Sequence, residues 1–409
     1  MSAQTAAACW STVDDLEPTT NTLHQRIAQV LETANFECLQ DAAVLARGVE
    51  FAKTGTAIIN TNSFTFGMNN VVFKITFSDG IIWIARVCHA SKLGNDNLEA
   101  DRKSMLSEIA TLRTLRRRTT IPVPDVFAFE ASASNDFGYS YMLMECLEGK
   151  TLGNTVARNV PVKHHSHVAK QLAEVLFQLQ NLSFDKLGRI WCGESCDESP
   201  EIIPYEHVEA AAAPMATSLE WFYTQRQEDN RKALEAHAQD PEWRTACWIL
   251  KSAMAQIIIE DTMYGPFPLC HFDLHYGNLL FDDDYNLTGV LDWSGAGTAP
   301  LERLAVSPEF ITFPGITDEE NQVIIDFRGL VRDNLEDLEA RSRESASSSG
   351  SKTTLSAILG TRRAEITHRC TYSFPHRAFW DGRLVAKLLY QDAVSWGQLV
   401  AMHGGSEVY

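Results

Sequence analysis

One stretch of the sequence gathers side chains that could manage a phosphoryl group. His271-Phe272-Asp273 is followed by Asn278, and a further carboxylate, Asp292, stands fourteen residues beyond it. Phosphoryl transfer asks little covalent work of a protein: phosphates must be cradled, Mg2+ held, and an acceptor hydroxyl aimed in line. Mg2+ prefers hard oxygens, and Asn278 and Asp292 offer one amide oxygen and one carboxylate. Asp273 can accept the hydrogen bond of an acceptor hydroxyl and then its proton.

These side chains need a frame. Leu279-Leu280-Phe281 and Leu287 to Asp292 read as two short strands joined by Asp282-Asp283-Asp284-Tyr285-Asn286, whose carboxylates suit a solvated turn better than a metal site. Asn278 then opens the first strand and Asp292 closes the second, so both fall near one end of a two-stranded ribbon. Upstream, Thr20 and Asn21 are cap candidates for a helix with Ile27, Val30 and Leu31 on one face, expected to run to about Arg47. The period then changes over Ala57 to Asn60, Val71 to Phe77 and Ile81 to Val87; the last two runs alternate and flank the hairpin signal Ser78-Asp79-Gly80. Arg86 shares its side of the strand with Ile82 and Ile84.

After the polar loop Gly94 to Asn97, Met105, Ile109, Leu112 and Leu115 mark a helix from Leu98 to Arg118, and two more strands follow near Val126–Phe129 and Ser140–Glu145. From Thr151 onward the pattern is mainly helical, with segments near residues 165–182, 207–237 and 241–260. The tract Ser342 to Ser351 is of low complexity and reads as a mobile loop over about residues 342–353.

The residues of the central stretch match a known pattern. His271-Phe272-Asp273-Leu274-His275-Tyr276-Gly277-Asn278-Leu279-Leu280-Phe281 resembles the catalytic loop of the aminoglycoside phosphotransferase and choline kinase family, relatives of the protein kinases, whose motif is H-R-D-L-x-x-x-N. Val290-Leu291-Asp292-Trp293 stands where protein kinases carry D-F-G. Trp83-Ile84-Ala85-Arg86 takes the place of V-A-I-K, and Glu108 that of the helix glutamate that pairs with it. Met142 to Gly149 resembles the segment joining the two lobes, where the backbone around Glu145, Cys146 and Leu147 would meet adenine. The resemblance covers most of residues 57 to 303.

It implies an α+β, bilobal, protein-kinase-like fold: an antiparallel β-sheet N-lobe over 1–147 and a mainly helical C-lobe over 148–409. It further implies ATP and Mg2+ as cofactors and a small-molecule hydroxyl as substrate. Asp273 would be the base, with His271 orienting the loop by hydrogen bonding, and Asn278 and Asp292 would hold the metal. Two departures bear on the nucleotide. Arg86 replaces the usual lysine and would grip phosphate oxygens as a fork. Ser63-Phe64-Thr65-Phe66-Gly67-Met68-Asn69-Asn70 has one glycine where protein kinases have three, so Asn69 and Asn70 are expected to supply the positive φ of a tight turn exposing N–H groups.

Composition excludes other classes. The 409 residues are 45% hydrophobic and 22% charged, as in a globular protein of two lobes or domains. With 53 acidic against 35 basic residues the net charge is −18, which argues against nucleic acid as the partner. No 18-residue apolar run and no basic leader occurs, so the chain reads as soluble, cytoplasmic and without a membrane role. Nine scattered cysteines suit reduced thiols, and the pair Cys192 and Cys196 lacks further ligands at zinc spacing. Two rivals stay open: a kinase-like binding module without turnover, favoured by Arg86 and the poor glycine loop, and a protein kinase, opposed by the lack of Ala-Pro-Glu after Asp292. The acceptor and the oligomeric state are not written in the sequence.

Overall fold

The computed structural model describes residues 10–89, 98–153, 159–205, 213–345, 353–406 and 408. The expected loop Gly94–Asn97, the start of the helix expected from 207 and the later part of the serine-rich tract lie outside these residues. The chain divides into two compact units. One comprises Met1–Thr151, Cys192–Pro200 and Leu280–Ser294; the other comprises Leu152–Trp191, Glu201–Leu279 and Gly295–Tyr409.

The first unit is built on a sheet of β1 (Ala57–Phe66), β2 (Asn70–Phe77), β3 (Ile82–Cys88), β4 (Val126–Glu130) and β5 (Tyr141–Glu145), in the order β1-β2-β3-β5-β4 with every neighbour antiparallel. Alternation gives each strand an inner face. Phe73, Ile75, Trp83, Ala85, Val87 and Leu143 are buried with Ile27, Val30, Leu39 and Ala43 of the preceding helices. Burying an aromatic side chain of this kind contributes about 2–3 kcal/mol. Residues adjacent to these point the other way, which puts Arg86 opposite Val72 and Ile84 opposite Lys74 on the sheet's second face.

Three expectations about this unit need correction. The N-terminal helix is two helices, Thr22–Thr33 and Phe36–Ala46. Asn35 ends the first by accepting a bond from the Cys38 N–H and so caps the second. Ser63–Phe66 are strand, not loop. β1 pairs with β2 again from Phe64 to Phe66 after a register shift, and the Asn60 side chain accepts from the Asn62 N–H within it. The unit itself extends to Thr151, past the expected boundary at 147, and recruits two distant segments.

Both recruitments have visible bonds. In helix Leu98–Arg118, Arg113 donates to the carbonyls of Ser195 and Cys196 and to the Asp197 carboxylate, and Arg102 pairs with Glu194. Burial raises the thiols of Cys192 and Cys196, the latter to about 11. The second recruit is a hairpin: β11 (Leu279–Phe281) lies between β12 (Leu287–Val290) and β6 (Lys150–Thr151). Its tip is the solvated turn foreseen, because Asp282 accepts from the N–H groups of Asp284 and Asn286 and from the Asn286 amide. Beyond it the Val290 N–H donates to the Pro122 carbonyl.

The second unit is mainly helical. A buried strand, β10 (Phe267–Cys270), pairs with β13 (Gly297–Thr298) on one side and β7 (Ser183–Phe184) on the other. Around it stand helices His165–Asn181, Ser218–Glu235, Pro241–Ser252, Arg362–Thr371, Ala378–Tyr390 and Trp396–His403. The helix Asp318–Ser345 takes in Ser342 to Ser345, so the start of the low-complexity tract is helix rather than loop. Buried Ile324, Phe327, Val331 and Leu335 give that helix its apolar stripe. Among the described residues no helix is long and apolar enough to cross a membrane.

Candidate functional site

The candidate residues fall into two sets, one in each unit. In the first unit the centre is Arg86, whose side chain is only 14% exposed. Its guanidinium pairs with Glu108 on helix Leu98–Arg118 and, through Nη2, with Asp292 at 2.9 Å. Asn70 completes the shell: with its amide set oxygen-inward, Oδ1 accepts from Arg86 Nε at 3.2 Å and Nη2 at 3.0 Å. Burial opposes the positive charge, but the two carboxylates outweigh it and hold the guanidinium above its ordinary pKa. The planar fork presents its N–H donors to these three partners from three separate nitrogens in fixed directions, where an ammonium would offer all its donors from one point.

Asp292 follows β12 in the left-handed region, with φ 57°. That is costly for a non-glycine residue and typical of functional turns. Its Oδ1 also accepts from Ser294 Oγ at 2.9 Å, while the neighbouring Trp293 is buried and donates to the Val290 carbonyl. Asp292 is thus held from both sides of the turn.

The β1–β2 loop is shorter than the sequence suggested. Gly67, Met68 and Asn69 form it, closed by a bond from the Gly67 N–H to the Asn70 carbonyl. Positive φ occurs among described non-glycine residues only at Cys196, Tyr285, Asp292 and Gln391, so Asn69 and Asn70 do not shape the turn as expected. His89 does instead. Its ring bonds the Gly67 carbonyl at 3.1 Å and its N–H donates to the Asn69 carbonyl at 3.0 Å. Burial is the main cause holding the His89 imidazole below its usual pKa. A side chain at Gly67 would meet nothing within 4 Å, so the space above the loop is open.

At the end of β5, Glu145 is tied by its carboxylate to Arg116 and to the Asp125 N–H, each at 3.1 Å. Cys146 is half-buried and its thiol is raised by burial. Leu147 packs beside Gly289, where an added Cβ would come within 3.0 Å of it.

The second set hangs from the end of β10. His271 is 1% exposed; its carbonyl accepts from Ser307 Oγ, and its Nδ1 accepts from the Asp273 N–H at 3.2 Å. The Asp273 carbonyl accepts from Asn278 Nδ2 at 2.9 Å. That bond fixes which end of the Asn278 amide is the nitrogen, leaving Oδ1 as its acceptor atom. The Asp273 carboxylate lies 3.6 Å from His275 Nε2. The His275 contact, opposed by burial and aided by the charges of His275 and His271, lowers the Asp273 pKa, so the group is ionised at neutral pH.

Several of these partners left no mark in the sequence. Ser307 and Glu309 arrive from beyond β13, Glu309 through a bond from its N–H to the Leu274 carbonyl at 2.9 Å. Burial and then the Asp273 charge push the Glu309 carboxyl up. Ser294 and the Asn70 amide are likewise contacts that no motif announces.

The donor chemistry suits Mg2+. Among the described residues no cluster of three His, Cys, Asp or Glu could form a metal cage. Mg2+ needs none, because it is usually held by one or two protein oxygens together with phosphates and water.

Comparison with known proteins assigns the class. The family model for the phosphotransferase enzyme family (APH) matches residues 64–307, and the chain belongs to that family. The solved structure of a putative aminoglycoside phosphotransferase from Ralstonia eutropha JMP134 superposes with a TM-score of 0.53 at 13% identity, covering 92% of this chain and 95% of that one. The likeness shows the bilobal kinase-like fold of that group. Among curated proteins, the clavilactone A biosynthesis cluster protein Y of Ampulloclitocybe clavipes is 23% identical over 283 residues, which are 65% of this chain and 67% of that protein. The altered inheritance of mitochondria protein 9 of Candida albicans is 26% identical over 197 residues, 46% of this chain and only 30% of that protein.

Proposed function

We propose that the chain is a small-molecule kinase that moves the γ-phosphoryl group of ATP to a hydroxyl of a metabolite-type acceptor, such as an amino alcohol or an aminoglycoside. The observation that carries this reading is the hold on Asp273: its N–H is fixed by His271, its carbonyl by Asn278, and its ionised carboxylate is left more than half exposed. A carboxylate so fixed can take the proton of an incoming hydroxyl. As the acceptor oxygen bonds to the γ-phosphorus, the bond from that phosphorus to its bridging oxygen breaks and ADP leaves. The lowered pKa makes Asp273 a weak base, which suits a loose transition state in which the proton moves late and positioning matters most.

In this reading Asp292 of the first unit and Asn278 of the second are the candidate metal ligands, each offering an oxygen to Mg2+, which would neutralise charge on the phosphates. Arg86, kept in place by Glu108 and Asn70, faces phosphate oxygens. The open backbone at Gly67 and Asn69 covers the phosphates, and the backbone at Glu145, Cys146 and Leu147 receives the adenine. Glu108 and His271 act by positioning. We place the activity in the cytoplasm, where ATP is supplied and where the eight described cysteines, all free thiols, stay reduced.

One observation favours a second reading, a kinase-like module that binds nucleotide without turnover: the Arg86 guanidinium is already engaged by Glu108, Asp292 and Asn70. The two readings differ in ATP consumption. Incubated with Mg2+, ATP and a panel of amino alcohols, aminoglycosides and sugar alcohols, the wild-type chain is expected to form ADP in the presence of at least one acceptor. ADP formation no faster than in an Asp273→Asn control across the panel would favour the binding module.

A further inference from the structure

The second unit contains a small device that no proposed chemical role requires. His275 folds back over Gly277, and its ring sits where a side chain at 277 would be. A Cβ on Gly277 would lie 2.6 Å from His275 Cε1 and 2.9 Å from Nδ1. Gly277 does not occupy the left-handed region, so the backbone alone would accept alanine. The ring, not the backbone, demands the glycine.

This seating fixes the protons of the imidazole. The Gly277 N–H donates to His275 Nδ1 at 2.9 Å, so in the neutral ring Nδ1 is the acceptor and the proton must reside on Nε2. Nε2 points at Asp273 Oδ2, 3.6 Å away. Asn278 Nδ2 donates to the Asp273 carbonyl at 2.9 Å and lies 3.4 Å from Nε2; the shorter Gly277 bond at Nδ1 decides the tautomer, and Nε2 keeps its proton for the carboxylate. The Asp273 main chain is already pinned at its N–H and its carbonyl. The rotation of the carboxylate is left to the side chains beside it, among which His275 contributes most and Asn278 less, so the Nε2–H is the main donor placed to set it. At 3.6 Å the contact is long, as such contacts often are before substrate tightens them.

We infer that His275 is a positioning residue whose Nε2–H tautomer, enforced by the Gly277 N–H, turns the Asp273 carboxylate toward the acceptor hydroxyl. The inference rests on the reading of Asp273 as the group that receives the hydroxyl proton. It adds that Gly277 acts on catalysis only through the His275 ring.

Two measurements test it, and the first needs no activity. In the wild-type chain labelled with 15N at its histidines, His275 should show a protonated Nε2 and an unprotonated Nδ1. Gly277→Ala should lose that preference. A wild-type ring carrying its proton on Nδ1 would overturn the inference even if phosphoryl transfer is observed.

The second is a cycle of variants assayed with Mg2+, ATP and the best acceptor of the panel. His275→Ala and Gly277→Ala should each lower kcat by about 10- to 100-fold through misplacement, with the KM for ATP unchanged. The double variant should be no worse than His275→Ala alone, because the glycine has nothing left to act on. His275→Gln, whose amide nitrogen can stand near the place of Nε2, should recover most of the loss. Multiplying losses in the double variant, or a His275→Gln as poor as His275→Ala, would overturn the inference. If the wild type transfers no phosphoryl group at all, it is the functional reading that fails, and the tautomer alone then decides the geometry.

Discussion

Asp273→Asn is expected to lower kcat by about 10²- to 10⁴-fold, the usual worth of a positioned general base, while ATP affinity stays within about twofold. The substitution is nearly isosteric. It leaves the bonds from the Asp273 N–H to His271 and from Asn278 to the Asp273 carbonyl in place, since both are made by the main chain. What it removes is the negative charge and the oxygen that takes the hydroxyl proton. Nucleotide affinity is spared because metal and phosphates are assigned to Asn278, Asp292 and Arg86. Steady-state kinetics paired with direct nucleotide titration separates the two effects. Near-normal turnover would remove Asp273 from its role, and a parallel loss of ATP binding would turn it into a ligand-binding residue.

The second large effect is on stability. Arg86→Leu leaves the carboxylate of Glu108, 5% exposed, without its cation. Breaking a buried pair from one side costs about 3–5 kcal/mol, because an uncompensated charge stays inside. Asp292 loses the same partner, but it is solvent-exposed and adds little. Removing both charges, in Arg86→Leu with Glu108→Leu, should recover most of the loss, since apolar replacement of a buried pair is often close to neutral. Urea unfolding midpoints give the comparison. A double variant as unstable as the sum of the singles would show that Arg86 stabilises the sheet by something other than this pair. Both variants should bind ATP poorly, so the stability cycle and the nucleotide assay separate folding from function.

Much of the candidate site was legible because its residues lie in sequence order at fixed spacings. The loop from His271 to Asn278 is contiguous, and Arg86, Glu108 and Asp292 follow the order of a kinase-like chain. The pairing of Arg86 with Glu108 was readable as a strand cation and a helix carboxylate, and the structure joins them. What was not legible depends on register and on long returns of the chain. Asn70 reaches Arg86 because β2 and β3 pair with Val72 opposite Arg86, which brings a residue two positions earlier within range of the guanidinium. Glu309 reaches the loop through one backbone bond to Leu274. Neither fact is encoded in local periodicity.

The misreadings of the fold have local causes too. Phe64 and Phe66 continue β1 beyond the register shift after Ile59, but the segment stands where the kinases carry their glycine-rich loop, and that likeness masked the strand. The break at Asn35 was written in the chain as an N-cap residue ahead of an apolar run, a signal overridden by the longer periodic pattern around it. At Ser342 to Ser345, serine content suggested a loop, yet the helix that enters the segment is anchored by Phe327, Val331 and Leu335 and runs on through it. The extra segments of the first unit were invisible because their ties are single long-range contacts, such as Arg113 to Asp197.

The central claim, a metal-dependent nucleotide site completed by Asp292, is tested most directly by calorimetric titration of ATP into the wild-type chain and into Asp292→Asn, with and without Mg2+. Asparagine tolerates the left-handed backbone found at 292, so the variant removes charge rather than fold. The account predicts saturable binding of ATP by the wild type that depends on Mg2+, and a loss on the order of tenfold or more in the variant. Absence of binding by the wild type, or binding indifferent to both Mg2+ and the charge at 292, would contradict it.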